Sequence, residues 1–283
     1  MLLDTLGQLE NVLREDLQRV ILLALSRERF FVSNIFYGGT ALRLLYGLRR
    51  SSEDLDFACL EDCESFSWEP FLSSVRKYAE AYGFSVSDVE LRSGQSTPKM
   101  LVRVMLRESL SNRRAYYPQG RHLIDAVHAR KQVMVRLEID LDDPCRPEPV
   151  TEQVLSPAPF LVSTFQKPDL FAGKMHAVLF RSWRFRVKGR DWFDMLWYLG
   201  QEIPLRIECL ERKMKQSGKL EERVSLTQDL FKEHYVEVCR RVNFRKAFDD
   251  VEPFLEDEDV ELVRAAFTEE RMADLADRFR FEG

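Results

Sequence analysis

The sequence predicts an α/β (α+β) fold in two parts: a mixed-sheet domain over about residues 1–160, then a helical domain over about 161–283. Three observations carry this. Before residue 142, short apolar runs of strand character alternate with amphipathic stretches. Prolines then cluster, with Pro144, Pro147, Pro149, Pro157 and Pro159 among the chain's 11. Beyond them, apolar residues recur almost wholly at helical spacing.

Leu9, Val12, Leu13, Leu17, Ile21 and Ala24 lie three or four residues apart and predict an amphipathic helix over 8–25. Phe31–Tyr37 reads as a short strand that ends in Gly38-Gly39-Thr40, and Ala41–Tyr46 as the helix that follows. A second strand covers Leu55–Cys59. Residues 68–82 predict a helix closed by Gly83. Phe84–Leu91 and Lys99–Leu106 are strand-like, residues 107–131 show no clear period, and Gln132–Leu141 predicts a strand. The stretch 142–160 reads as a break. No internal repeat or low-complexity segment is present.

Composition narrows the function classes. With 45% hydrophobic and 31% charged residues, the 283-residue chain can bury a core. Lys plus Arg is 42 against 47 for Asp plus Glu, a net charge of −5 that excludes a chain-wide basic field of the kind that coats DNA. No apolar run reaches the ~18 residues of a membrane helix. The opening MLLDTLGQLE is acidic where a secretory leader is basic, so a cytoplasmic location is expected. The five cysteines (Cys59, Cys63, Cys145, Cys209 and Cys239) form no CxxC pair. They read as reduced thiols, with neither a disulfide framework nor a structural zinc site. Charge is uneven along the chain. From Lys167 to Arg190, seven Lys/Arg residues face only Asp169, a block suited to phosphates. From Phe244 to Gly283, 13 acids outnumber six bases, which reads as a solvated helical face.

The sharpest feature runs from Gly38 to Phe57, GGTALRLLYGLRRSSEDLDF. A strand ending in Gly-Gly-Thr lets backbone approach a ligand without a Cβ in the way. The helix that follows turns free N–H groups and the positive end of its dipole to that spot, which suits a phosphate. Asp54 and Asp56, on a strand, point to one face. Two adjacent carboxylates repel unless a cation lies between them, and a hard ion such as Mg²⁺ or Mn²⁺ is the natural partner. In Arg136-Leu137-Glu138-Ile139-Asp140, Glu138 and Asp140 share one face, and either can supply a third carboxylate. Three carboxylates facing a Gly-rich phosphate cradle suit metal-assisted nucleotidyl transfer.

Gly38-Gly39-Thr40 through Ser52-Glu53-Asp54-Leu55-Asp56-Phe57 resembles the GG[ST]…[DE]h[DE] signature of the polymerase-beta-like nucleotidyltransferase superfamily. More narrowly, GGTALRLLYG followed by SEDLDF resembles the AbiEii/AbiGii-type nucleotidyltransferase toxins of bacterial type IV toxin–antitoxin and phage-abortive systems. A second block is similar to that family's LxAxKxHAL…R…RDxxD pattern: Leu170–Leu179, which contains Lys174 and His176, and then Gly189–Leu196, which contains Arg190, Asp191 and Asp194. The C-terminal third carries no matching motif.

The resemblance implies a site. Asp54, Asp56 and Glu138 would hold Mg²⁺ or Mn²⁺, with Glu138 preferred to Asp140 because RLEI is similar to the family's strand. Gly38, Gly39, Thr40, Ser52 and Lys174 would bind an NTP. Lys174 and Asp191, from the helical domain, would complete the catalytic set, and either Glu138 or Asp191 would take the acceptor's proton. The resemblance further implies an acceptor at a tRNA 3′ end and a cognate antitoxin that opposes the toxin without a stable complex. Small-molecule or protein acceptors, and a non-catalytic nucleotide-binding module, are the alternatives.

The residues themselves add detail. Lys174 has few acids near it in sequence, so its ammonium is expected free to meet a phosphate. Asp191 opens a helix whose apolar face is Trp192, Met195, Leu196 and Leu199, and it shares another face with Asp194. An acid there also suits the helix dipole. His176 is expected mainly to pack. Arg190 either pairs with Asp194 or meets phosphate. The basic aromatic stretch Trp183–Lys188 offers Arg184, Arg186 and Lys188 to RNA, or is a loop with core aromatics.

Overall fold

A computed structural model of the chain describes residues 5–60, 66–92, 97–181 and 187–282. The chain divides into two compact units, one of residues 1–47, 51–142 and 149–164, the other of 48–50, 143–148 and 165–283.

The first unit opens with α1 (Leu6–Arg27), whose N-terminus is closed by a reciprocal capping box between Thr5 and Gln8. Helical spacing buries Leu9, Leu13, Leu17, Ile21 and Ala24. The run Val20–Leu25 is buried on every side, because α1 packs against strands and a second helix together. A 3₁₀ turn at Phe30–Val32 precedes β1 (Asn34–Tyr37), so the predicted strand 31–37 is half turn. Then come α2 (Gly38–Tyr46), β2 (Asp54–Cys59), α3 (Glu69–Ala81), β3 (Val86–Arg92) and β4 (Lys99–Met105). The aperiodic stretch after β4 holds α4 (Leu106–Asn112), a 3₁₀ turn at Arg114–Tyr116 and the four-residue α5 (Arg121–Ile124). The strand β5 (Gln132–Asp140) follows.

The proline-rich stretch is more ordered than its composition suggests. It contains β6 (Val150–Val154) and β7 (Phe160–Thr164), which pair antiparallel. The prolines lie outside both strands, where their missing N–H groups cost no ladder bond. One seven-stranded sheet results, ordered β3-β4-β5-β2-β1-β7-β6. It is mixed: β2 runs parallel to β5 and β1 parallel to β7, while the remaining pairs are antiparallel. Alternation along β5 sends Val133, Val135, Leu137 and Ile139 into the core, and leaves Arg136, Glu138 and Asp140 half-exposed on the other face. Phe30, Phe57 and Trp68 anchor that core, with the Phe30 and Phe57 ring centroids 4.9 Å apart.

The second unit is mainly helical: α6 (Lys167–Phe180), α7 (Gly189–Gly200), α8 (Ile207–Gln216), α9 (Gln228–Arg241), α10 (Phe244–Val251), α11 (Val260–Ala266) and α12 (Glu269–Asp274). Two short parallel strands, β8 (Leu205–Arg206) and β9 (Phe281–Glu282), tie the end of the chain to the start of α8. Its core is aromatic. Phe171 stacks on Tyr198 with centroids 4.4 Å apart, and Phe231 and Tyr235 each pack edge to face against Phe279. Two short segments from earlier in the chain belong here because of what they bind. Arg50 meets Asp194, Asp143 meets Lys213 at 2.7 Å, and Cys145 forms a disulfide with Cys209. That disulfide corrects the expectation of reduced thiols. The two cysteines are 64 residues apart, and only the fold brings their Cα atoms to 5.1 Å. Cys59 and Cys239 are buried thiols outside that disulfide, and Cys63 lies outside the described residues. The acidic end is more than a solvated face, since Glu256, Glu258 and Asp259 all reach Arg49.

Among the described residues no helix is long and apolar enough to cross a membrane. Gly189 is where α7 comes closest to α10, and a Cβ there would overlap the backbone carbonyl of Ala247. Backbone cannot swing aside as a side chain can, so Gly189→Ala should destabilise the protein by about 1–3 kcal/mol in urea unfolding. An unchanged midpoint would show that the two helices separate without cost.

Candidate active site

The predicted residues form two groups, one in each unit. In the first unit the key element is the turn from β1 into α2. Tyr37 is extended and Gly38 has φ +82°, a value that favours glycine. Space excludes a side chain as well, because a Cβ on Gly38 would fall on the Asp56 carboxylate. β1 and β2 are antiparallel with Tyr37 opposite Asp56, which brings the start of α2 against that acid. Here α2 begins at Gly38, not at Ala41 as its apolar pattern suggested, so Gly38, Gly39 and Thr40 form its first turn. Their N–H groups are among those a helix leaves without internal partners. The buried Thr40 hydroxyl donates to the Asp54 backbone carbonyl and fastens α2 to β2. Ser52 precedes β2, and its carbonyl accepts from Gln18 Nε2 at 3.0 Å.

Strand alternation puts Asp54 and Asp56 on one face while Leu55 and Phe57 enter the core. The parallel register with β5 sets Asp54 beside Arg136, Asp56 beside Glu138 and Ala58 beside Asp140. Glu138 is therefore the carboxylate level with Asp56, and Asp140 lies two pairs further along. Cations that were not singled out in the sequence interleave with these acids. Arg136 contacts Asp54 at 2.5 Å and Glu138 at 3.0 Å, and Lys99 on β4 contacts Glu138 at 2.8 Å. Burial works against the Arg136 charge, but Asp54 and Glu138 hold it above its ordinary range. The donors on this face are all hard oxygens, and a carboxylate pair on one strand fits Mg²⁺ or Mn²⁺. Among the described residues no three His, Cys, Asp or Glu side chains are gathered as a metal cluster; Arg136 and Lys99 engage Glu138 instead.

The second group surrounds Lys174 on α6. Contrary to the expectation of a free ammonium, Lys174 Nζ lies 2.8 Å from Asp191 and 2.8 Å from Asp194, both on α7. The acids are distant in sequence but one helical turn apart on the facing helix. Asp191 is buried and also meets Arg181 at 3.0 Å. Asp194, with no exposed surface, receives Arg50 Nε at 2.6 Å and its second terminal nitrogen at 2.7 Å, a bidentate pair with Arg50 itself 3% exposed. Burial opposes charge on Lys174 and Asp191 alike. Asp191 and Asp194 nevertheless hold the ammonium above its usual range, and Lys174 and Arg181 hold the Asp191 carboxyl below its own.

Arg190 stacks over the Phe254 ring at 4.2 Å, and Arg50 and Lys174 are two partners of Asp194 that the sequence did not identify. Lys188 is half-buried, and burial together with nearby Arg181 lowers its pKa. Arg184 and Arg186 lie outside the described residues. His176 packs near Phe180 and Ser217, where burial and then Lys213 and Lys219 push its pKa down to about 4.

Two measurements check these electrostatics. The imidazole of His176 should stay neutral at pH 6 and titrate near 4 by NMR. Its lowered pKa stabilises the fold above the free value of ~6.5, a contribution lost as pH falls towards 4. Titration at 6.5 would mean the ring is solvated. Asp194→Asn leaves Arg50 and Lys174 buried without their shared counter-charge and should cost about 3–5 kcal/mol, whereas Arg50→Met with Asp194→Leu should cost less than the sum of its single changes. Strict additivity would break the assigned pair.

A family model described as nucleotidyl transferase AbiEii toxin, type IV TA system, matches residues 20–269. Among curated proteins no relative matches the chain. The fold is similar to a crystal structure of a candidate nucleotidyltransferase from H. pylori, with 18% identity, 94% of this chain and 95% of that one covered, and a TM-score of 0.52. It is also similar to JHP933 from Helicobacter pylori, with 18% identity, 95% and 94% covered, and a TM-score of 0.50. These two likenesses, at low identity, concern the fold.

Proposed function

The chain belongs to the AbiEii family of nucleotidyltransferase toxins, and on that footing we propose that it transfers a nucleoside monophosphate from an NTP to an acceptor hydroxyl at an RNA 3′ end, tRNA first among the candidates. One observation carries the reading. Gly38 is stripped of a side chain where α2's free N–H groups begin, and the Asp56 carboxylate fills the space. This contact between the start of α2 and an acid of β2 supports reading the one as a phosphate cradle and the other as a metal-holding group.

Asp54 and Asp56 are the residues that would hold Mg²⁺ or Mn²⁺, with Glu138 joining when Lys99 and Arg136 release it. Held there, the ion would supply charge neutralisation at the α-phosphate and would lower the pKa of the attacking hydroxyl. The first-turn N–H groups of Gly38, Gly39 and Thr40 orient the triphosphate, with Ser52 at the same end of β2. Lys174 gives two of its three N–H donors to Asp191 and Asp194, and the third is the one we assign to a phosphate oxygen. Held ionised below its usual range, Asp191 is a weak proton acceptor. We therefore assign it to holding Lys174, which leaves Glu138 as the base. In-line displacement at the α-phosphorus forms the new P–O bond and releases pyrophosphate, while the acceptor proton passes to Glu138. Lys188, with Arg184 and Arg186, is assigned to RNA contact. A cognate antitoxin would counter the effect genetically rather than as a stable complex.

The test incubates the full chain with Mg²⁺, each of the four α-labelled NTPs and total tRNA. Label should reach RNA from one NTP and be absent with Asp56→Ala. Label on a protein or small molecule would keep the chemistry and move the acceptor. No label under any metal would overturn the transferase reading. Lys174→Ala should lower transfer at least tenfold; unchanged kinetics would remove the phosphate contact.

A further inference from the structure

The stretch between β4 and β5 is used by none of the chemistry above. Met105 and Gln132 are direct register partners, and the Leu106 N–H donates to the Lys131 carbonyl at 2.9 Å. Residues 106–131 therefore leave and rejoin one hairpin end as a compact excursion, a form often functional. Arg113 is its anchor. Its guanidinium, buried, donates to Asp16 and to the Tyr82 carbonyl, each at 2.7 Å, and to Tyr117 Oη at 3.1 Å. The same guanidinium lies 4.7 Å from the centroid of Tyr116, so the ring is backed by a fixed planar cation. Yet Tyr116 is 70% exposed.

Two exposed arginines lie near that ring. Arg114 adjoins it in the same 3₁₀ turn, and Arg121 Nε reaches the Arg114 carbonyl at 3.4 Å, which brings the second arginine to the first. His122, His128 and Arg130 are exposed further along the excursion. The only acids in the stretch are Glu108 and Asp125, and among the described residues no carboxylate lies within ion-pair distance of Arg114 or Arg121. An open aromatic face flanked by planar cations without counter-ions fits a nucleobase between phosphates. An acidic protein surface needs no such ring, and a membrane needs apolar area that one tyrosine does not supply.

We infer that residues 106–131 form a single-stranded RNA contact surface in which Tyr116 stacks on a base and Arg114 and Arg121 hold the adjoining phosphates. It rests on the reading of an RNA acceptor and adds to it a docking site separate from the transfer chemistry. The test is fluorescence anisotropy of the full chain with labelled tRNA and with a labelled 12-nucleotide RNA, in EDTA and without NTP, so that catalysis plays no part. Tyr116→Ala should weaken binding roughly tenfold and Tyr116→Phe, which keeps the ring, less than about twofold. Arg114→Gln with Arg121→Gln should flatten the slope of log K against log salt by about 1.4, two phosphate contacts on a single strand. All three positions are exposed, and unchanged thermal melting would confirm that the variants fold. RNA binding that none of the variants alters would overturn the surface and leave the acceptor reading intact. An absence of RNA binding by the parent chain would overturn both. Competition by polyglutamate as strong as by RNA, without a Tyr116 effect, would assign the patch to acidic proteins and overturn it too.

Discussion

Charge withdrawn from water must be met by charge, and in the helical unit this requirement is organised around Lys174. Its ammonium is matched by Asp191 and Asp194, and those acids are in turn met by Arg181 and Arg50. Among the described residues, three cations and two carboxylates thus meet in a mostly buried place. The arrangement depends on α6 and α7 lying side by side, on α7 approaching α10 without a side chain at Gly189, and on a three-residue piece of earlier chain supplying Arg50. Such a cluster contributes little net stability compared with apolar packing. What it provides is one fixed position for the lysine nitrogen.

The sheet solves the opposite problem in the first unit, where like charges stand side by side. Asp54, Asp56 and Glu138 share a face because strands alternate and because β2 and β5 run in parallel register. Arg136 and Lys99 offset their repulsion. The same two cations occupy Glu138, so the carboxylate level with Asp56 is already engaged within the sheet.

Much of this was legible in the sequence. The α1 period, the β5 alternation and the Gly38–Asp56 constellation rest on local rules, and local rules operate at a distance of a few residues. What stayed hidden depends on contacts between distant parts of the chain. Nothing near Arg50 identifies Asp194 as its partner, nothing near Cys145 identifies Cys209, and the apparent freedom of Lys174 reflected only its sequence neighbours. Proline density hid β6 and β7, although each strand itself contains no proline. The excursion at 106–131 lacked a period because it is built from one two-turn helix and shorter pieces.

The pairing of Arg50 with Asp194 also bears on when this protein is complete. The two residues are separated by 144 positions. At about 5–20 residues per second of synthesis, Arg50 is made roughly 7–30 s before its partner exists. A nascent chain that already carries Gly38, Asp54 and Asp56 therefore lacks the groups that fix Lys174 until α7 has emerged. For a member of a toxin family, this delay means that no nascent chain still lacking α7 holds the assembled lysine cluster.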